Sequence, residues 1–212
     1  MTEQTRTAPR TVDYYFTMVS PWAYLGHAAF TAIRHQRDTA VRYHPVNLAT
    51  VFPRSGGLPL ADRHPSRQRY RMLELQRWRE RRALPLNLQP RFWPFGAALA
   101  DGIVIAIVDA GGDPDRFLPA AFAAIWQQER NLADPEALSE LLQDGGFDAA
   151  RVMAAARSES VALRYARSTQ EALRAGVFGT PTYSLDGEIF WGQDRLDLLD
   201  EALASGRAPF ET

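Results

Sequence analysis

Residues 12–26, Val-Asp-Tyr-Tyr-Phe-Thr-Met-Val-Ser-Pro-Trp-Ala-Tyr-Leu-Gly, decide the fold. The run from Val12 to Val19 is rich in β-branched and aromatic residues, the composition of a buried strand. Pro21 fits the first turn of a helix, where its missing N–H costs nothing and its fixed φ is already helical. Strand and helix therefore meet at Ser20. A hydroxyl there faces unpaired backbone N–H groups and the positive end of the helix dipole, which together stabilise an anion. Ser is also a preferred helix cap, so local pattern alone leaves Ser20 as either a cap or an active-site residue.

Working outward, Trp22, Leu25, Ala29 and Ile33 keep a helical spacing, and residues 41–48 alternate as a second strand. Strand, helix, strand predicts a βαβ unit with parallel strands. Residues 50–62 hold Pro53, Gly56, Gly57 and Pro59 and read as a loop. A charged helix follows over 65–82, with Arg67, Arg71, Glu74 and Trp78 near one face. Its arginines either collect an acidic ligand or form a solvated face paired with Glu74 and Glu80. Phe92-Trp93-Pro94, in a proline-rich stretch, either walls a pocket or packs. From Leu48 to Thr180 the pattern offers four to six helices and no convincing strand. Strands return at 179–192 as a hairpin around Asp186-Gly187, and a final amphipathic helix carries Leu196, Leu199 and Leu203.

Composition narrows the chemistry. All 24 basic residues are Arg, against 25 acidic ones, so there is no electrostatic footprint for nucleic acid or an anionic membrane. Without Lys there is no Schiff-base chemistry, and without Cys no disulfide, thiolate nucleophile or cysteine metal site. His27, His35, His44 and His64 show no metal-ligand spacing. The first ten residues are polar and read as a disordered tail, neither signal nor anchor. No apolar run approaches the roughly 20 residues that span a bilayer. The expectation is a soluble, cytoplasmic protein.

The order βαβ, helical block, ββα is the thioredoxin arrangement, and the block sits where DsbA-like proteins carry an inserted helical domain. The sequence therefore predicts an α/β thioredoxin-like fold with a large all-helical insertion. The expected domains are 11–49 with 168–206 for the thioredoxin part and 50–167 for the insertion. Where that fold carries Cys-x-x-Cys, this chain has Ser20-Pro21-Trp22-Ala23, which rules out thiol-disulfide exchange by the protein itself. Closer still, the chain resembles the kappa-class glutathione transferases and the 2-hydroxychromene-2-carboxylate isomerases. The resemblance rests on Tyr14-Tyr15-Phe16 with Ser20-Pro21 and Tyr24-Leu25, on Arg77-Trp78, on Phe178-Gly179-Thr180-Pro181-Thr182, and on Phe190 to Leu196.

That resemblance implies a glutathione site and a homodimer. Ser20 would hydrogen-bond the glutathione sulfur, and Thr180, before a cis Pro181, would pair with the tripeptide backbone. Gly192, Gln193, Asp194 and Arg195 would bind the γ-glutamyl end, with Gln193 longer than the family's usual Asn or Ser. Asp194 would also cap the last helix. In the isomerases the thiolate adds to the substrate and leaves again, so glutathione is not consumed. An aromatic carboxylate substrate needs an apolar wall, for which Trp22, Phe92 and Trp93 are candidates, and a cation, for which Arg54, Arg63 and Arg67 are candidates. Three readings follow: an isomerase of aromatic catabolism, a conjugating transferase, or a non-catalytic binding protein.

Overall fold

Strand β1 (Thr11–Phe16) lies inside a mixed sheet, with β2 (Ala40–Pro45) parallel on one side and β3 (Thr182–Leu185) antiparallel on the other. Strand β4 (Glu188–Trp191) pairs antiparallel with β3 and gives the order β2-β1-β3-β4 among the described residues. This computed structural model describes residues 10–211. Most of the expected tail, residues 1–9, lies outside them. Arg10, assigned to that tail, is instead anchored, its guanidinium donating to the Ala202 carbonyl at 2.9 Å and to Asp186 at 2.6 Å.

Side-chain alternation along β1 divides the core. Val12, Tyr14 and Phe16 face helix α1 (Pro21–Gln36) and join the main apolar core, while Tyr15 packs with Val46, Ala172 and Val177. Tyr14 stands opposite Tyr43 on β2 and Tyr183 on β3, and its ring stacks on that of Tyr183 at 5.2 Å. The Asp186-Gly187 turn has φ of 52° and 93°, the positive pair that a type I′ hairpin requires.

The helical block is α2 (Leu48–Ser55), α3 (Pro65–Arg82), α4 (Ala98–Asp109), α5 (Leu118–Trp126), α6 (Pro135–Asp144), α7 (Ala149–Ala156) and α8 (Glu159–Arg174). Among the described residues the block therefore holds seven α-helices, where the pattern suggested four to six. Helix α2 occupies part of the expected loop. Its ends are well fixed: Asn47 accepts from the Ala49 N–H, and Gly56 terminates it at φ 73°. Caps at both ends offset the one ladder bond that Pro53 removes. Ser158 separates α7 from α8 by accepting from the Val161 N–H.

Helix α8 runs unbroken past residue 167, where the sequence suggested a domain boundary, and packs on β2. One apolar core extends from the sheet through α4 and α5, so sheet and helical block are packed as a unit. The apolar stretch 102–110 falls largely in α4, buried from Ala100 to Ile107. Among the described residues no helix is long and apolar enough to cross a membrane. Helix α9 (Leu196–Ser205) packs against α1.

His27 on α1 introduces a pH dependence. Its ring lies 5.4 Å from that of Phe122, and its Nε2 is 3.9 Å from Asp115, too far for a hydrogen bond. Neither ring nitrogen has a partner. Burial pushes the imidazole down to about 4, so at neutral pH it is uncharged and forms no ion pair with Asp115. A histidine lowered from its ordinary value of about 6.5 binds fewer protons folded than unfolded across that window. Stability is therefore lost as pH falls from 6.5 towards 4, by at most about 1.4 kcal/mol per pH unit. His27→Leu is expected to remove this slope and to change stability little at pH 8. Urea midpoints at pH 8, 6 and 5 check it; equal acid slopes in both proteins would count against it.

Candidate active site

Ser20 is the N-cap of α1: its backbone is extended (φ −88°, ψ 114°), and its Oγ accepts from the Ala23 N–H at 3.2 Å. The hydroxyl also donates to the Thr180 carbonyl at 3.2 Å. Residues 160 apart in sequence thus meet because β1 and β3 are neighbours. Thr180-Pro181 is cis. The Pro181 carbonyl accepts from Gly192 N–H at 2.9 Å, which ties the segment 192–195 to the same corner. Ser20 is 5% exposed, so it sits just behind the cleft surface that its bonded partner Thr180 lines.

That cleft has a volume of about 610 Å³, within the roughly 300–1,000 Å³ of small-molecule sites. Its thioredoxin wall is Trp22, Thr180 and Trp191 with Gly192 to Arg195; its opposite wall is Arg63 and the α3 face bearing Arg67, Tyr70, Arg71, Glu74 and Trp78. Of the expected ligand-binding side chains, Trp22, Arg63, Arg67, Thr180, Gly192, Gln193, Asp194 and Arg195 are brought together here. Pro181 is buried behind Thr180. Trp93 lies one layer back, its indole N–H donating to the Val19 carbonyl at 2.8 Å and its ring covered by Arg71.

Two candidates are not brought in. Arg54, in the last turn of α2, reaches α8 and donates to Gln170 at 3.2 Å. Phe92 is 39% exposed beneath the Arg91 guanidinium, away from the cleft. The expected cap is also displaced. A short 3-10 turn at Gln193–Arg195 precedes α9, so Arg195 rather than Asp194 stands at its N-cap, without a side-chain cap bond. The Asp194 carboxylate instead pairs with Arg195 at 2.7 Å.

Gln193 departs from the expectation in a specific way. Its side chain is buried and held by Arg82 of α3, which donates to the Gln193 side-chain oxygen at 3.0 Å and to its backbone carbonyl at 2.9 Å. The longer side chain thus ties the helical block to the 192–195 segment. Gly26 permits this approach: a Cβ there would lie 2.6 Å from the Gln193 Cβ. Gly192, at φ 101°, serves the same segment, because a Cβ would meet Asp194 Oδ1 at 2.3 Å.

The cleft is electropositive. Glu74 is engaged by Arg77 at 2.5 Å and Asp194 by Arg195. The guanidinium groups of Arg63 and Arg71 are lowered first by burial and then by neighbouring arginine charge. Among the residues missed by sequence reasoning, Arg71 and Trp78 stood on a face already visible from helical spacing. Arg82 and Trp191 carried no local signal for their places.

A family model described as a DSBA-like thioredoxin domain matches residues 11–204. The chain belongs to the DsbA-like family. This DsbA-like chain is 28% identical to a 2-hydroxychromene-2-carboxylate isomerase of Sphingobium xenophagum, covering 92% of this chain and 98% of that protein. It is 23% identical to glutathione S-transferase kappa 1 of Rattus norvegicus, covering 91% and 90%. A solved 2-hydroxychromene-2-carboxylate isomerase matches with a TM-score of 0.73 at 25% identity, covering 92% of this chain and 95% of that one. The expected thioredoxin-like fold with its helical insertion is the fold found. In this DsbA-like chain the position of the thioredoxin thiols holds no sulfur, because the sequence contains no cysteine.

Proposed function

We propose that this chain is a glutathione-dependent enzyme, an isomerase of the 2-hydroxychromene-2-carboxylate type acting on a small aromatic carboxylate. The observation that carries the reading is the buried Ser20 hydroxyl at the N-terminus of α1, bonded to the Thr180 carbonyl behind an aromatic, arginine-lined cleft. Supporting a tripeptide ligand, Thr180 and Gly192 to Arg195 line one wall of the cleft, and Thr180 Oγ1 is buried without a partner. The names of the relatives, isomerase and glutathione transferase, support the same class.

Glutathione would supply the thiol that this chain lacks. An ordinary thiol of pKa about 8.5 is only a few per cent thiolate near neutrality. Ser20 favours the anion by redirecting its hydroxyl from the Thr180 carbonyl to the sulfur, a stronger acceptor when charged, and the α1 N-terminus adds its dipole. Thr180 and Gly192 to Arg195 orient the tripeptide. Trp22, Tyr70 and Trp78 offer apolar faces to a planar acceptor and exclude water. A homodimer and a cytoplasmic location complete the proposal.

The test is thermal denaturation with and without glutathione. At 100 times its dissociation constant a ligand adds about 2.7 kcal/mol of stability, so a clear upward shift at millimolar glutathione is expected. No shift would sink the reading. Where the shift is present, turnover of a hydroxychromene carboxylate without loss of glutathione identifies an isomerase. Consumption of one glutathione per product identifies instead a kappa-like transferase.

A further inference from the structure

We propose that Arg71 selects an acidic acceptor, its guanidinium receiving a carboxylate on the planar molecule that meets the ligand thiol. The inference rests on the reading above for where the thiol lies; the anion site itself is argued from this chain alone. Arg71 is half-buried on the cleft face of α3, stacked 5.2 Å from the centre of the Trp93 ring. The Trp93 indole bonds the carbonyl of Val19, the residue before Ser20. Arg71 therefore stands at the Ser20 end of the cleft. Arg82, which holds Gln193, lies about 16 Å farther along α3 at 1.5 Å per residue and does not line the cleft.

Among the described residues no acid answers Arg71. Burial and then the charge of Arg63 lower its guanidinium to about 10, and its other contacts are the Trp93 ring and the Met72 sulfur at 3.8 Å. Glu74, one turn on, is taken by Arg77. A partly buried cation without an anion is unfavourable, and a carboxylate meets a guanidinium through two parallel hydrogen bonds. Arg63 is less suited, since its Nε is committed to the Leu58 carbonyl at 2.8 Å. Tyr70 and Trp78 flank Arg71 along the helix and supply ring faces, so the pocket fits a flat aromatic acid better than an aliphatic one.

The experiment is calorimetric titration of wild type, Arg71→Gln and Arg71→Lys with trans-cinnamate and with its neutral amide, with and without saturating glutathione. Wild type is expected to bind the acid about 10-fold or more tightly than the amide, as a charge-assisted bidentate pair implies. Arg71→Gln should abolish that preference while leaving the amide within about twofold, and Arg71→Lys should retain part of it. Glutathione affinity should change less than about threefold in both variants. The proposal is overturned if wild type shows no acid preference, if the preference survives in Arg71→Gln, or if Arg71→Gln weakens glutathione as much as cinnamate. The titrations without glutathione read the anion site even where glutathione does not bind, so failure of the proposed function and failure of this inference remain distinguishable.

Discussion

Ser20→Ala is expected to lower glutathione-dependent turnover about 100-fold, the usual cost of removing one donor aimed at developing or bound negative charge. Glutathione affinity should fall far less, within about threefold, because one hydroxyl contact is a small part of a tripeptide's interface. The pH profile should separate this from a general loss of structure. Without the donor the bound thiol ionises later, and the rising limb of kcat/KM moves to higher pH by about one to two units. The same substitution removes the cap bond to the Ala23 N–H, costing about 1 kcal/mol, which a melting curve reads independently. Unchanged turnover with an unchanged pH limb would remove Ser20 from the chemistry and leave it as a cap.

The largest effect on stability is expected at Asp101. This carboxylate is fully buried on α4 and accepts from the Met18 N–H at 2.9 Å, the Thr17 hydroxyl at 2.8 Å and the Tyr165 hydroxyl at 2.9 Å. It thereby ties the turn that delivers Ser20 to two helices of the block. Asp101→Ala orphans three buried donors and should cost about 3–5 kcal/mol. Asp101→Asn should cost no more than about 1 kcal/mol, since an amide accepts from Met18 and donates to the two hydroxyls.

The contrast has a pH signature. Burial, opposed by these three bonds, raises the Asp101 carboxyl to about 7. A carboxyl raised above its unfolded value contributes stability that is complete below about pH 4 and lost as pH rises through about 7. Wild type should therefore gain on Asp101→Asn as pH falls from 8 to 6, a window largely above the one in which His27 acts. Urea unfolding of the three proteins at pH 8 and 6 measures both effects. An Asp101→Ala variant within 1 kcal/mol of wild type would mean that these donors find other partners.

Much of the thioredoxin half was legible because its signals are local. Aromatic and β-branched residues at 12–19, Ser-Pro at the helix start and Asp-Gly between two short strands each favour one backbone conformation by sterics. The helical block was read less well. Pro53 and Gly56 argued for a loop over 50–62, yet caps at Asn47 and Gly56 made α2 possible. Arg54 and Phe92 looked as eligible for the cleft as Arg63 and Trp22, because composition says nothing of where a side chain points once helices pack. The α3 face of Arg67, Arg71, Glu74 and Trp78 followed from helical spacing; that it faces a ligand cleft did not.

By itself the sequence determined the order of elements, the absence of any protein thiol, and the Ser20 hydroxyl at a helix N-terminus. These follow from residue chemistry and from steric preferences that act within a few positions. Only the tertiary structure decided that Ser20 meets the Thr180 carbonyl, that Arg82 holds the buried Gln193 side chain, and that Asp101 gathers three donors behind the Ser20 turn. Each joins groups at least 64 residues apart through directional hydrogen bonds in buried or partly buried surroundings. Such pairs are fixed by how the sheet and helices pack, and local periodicity reports burial without naming the partner.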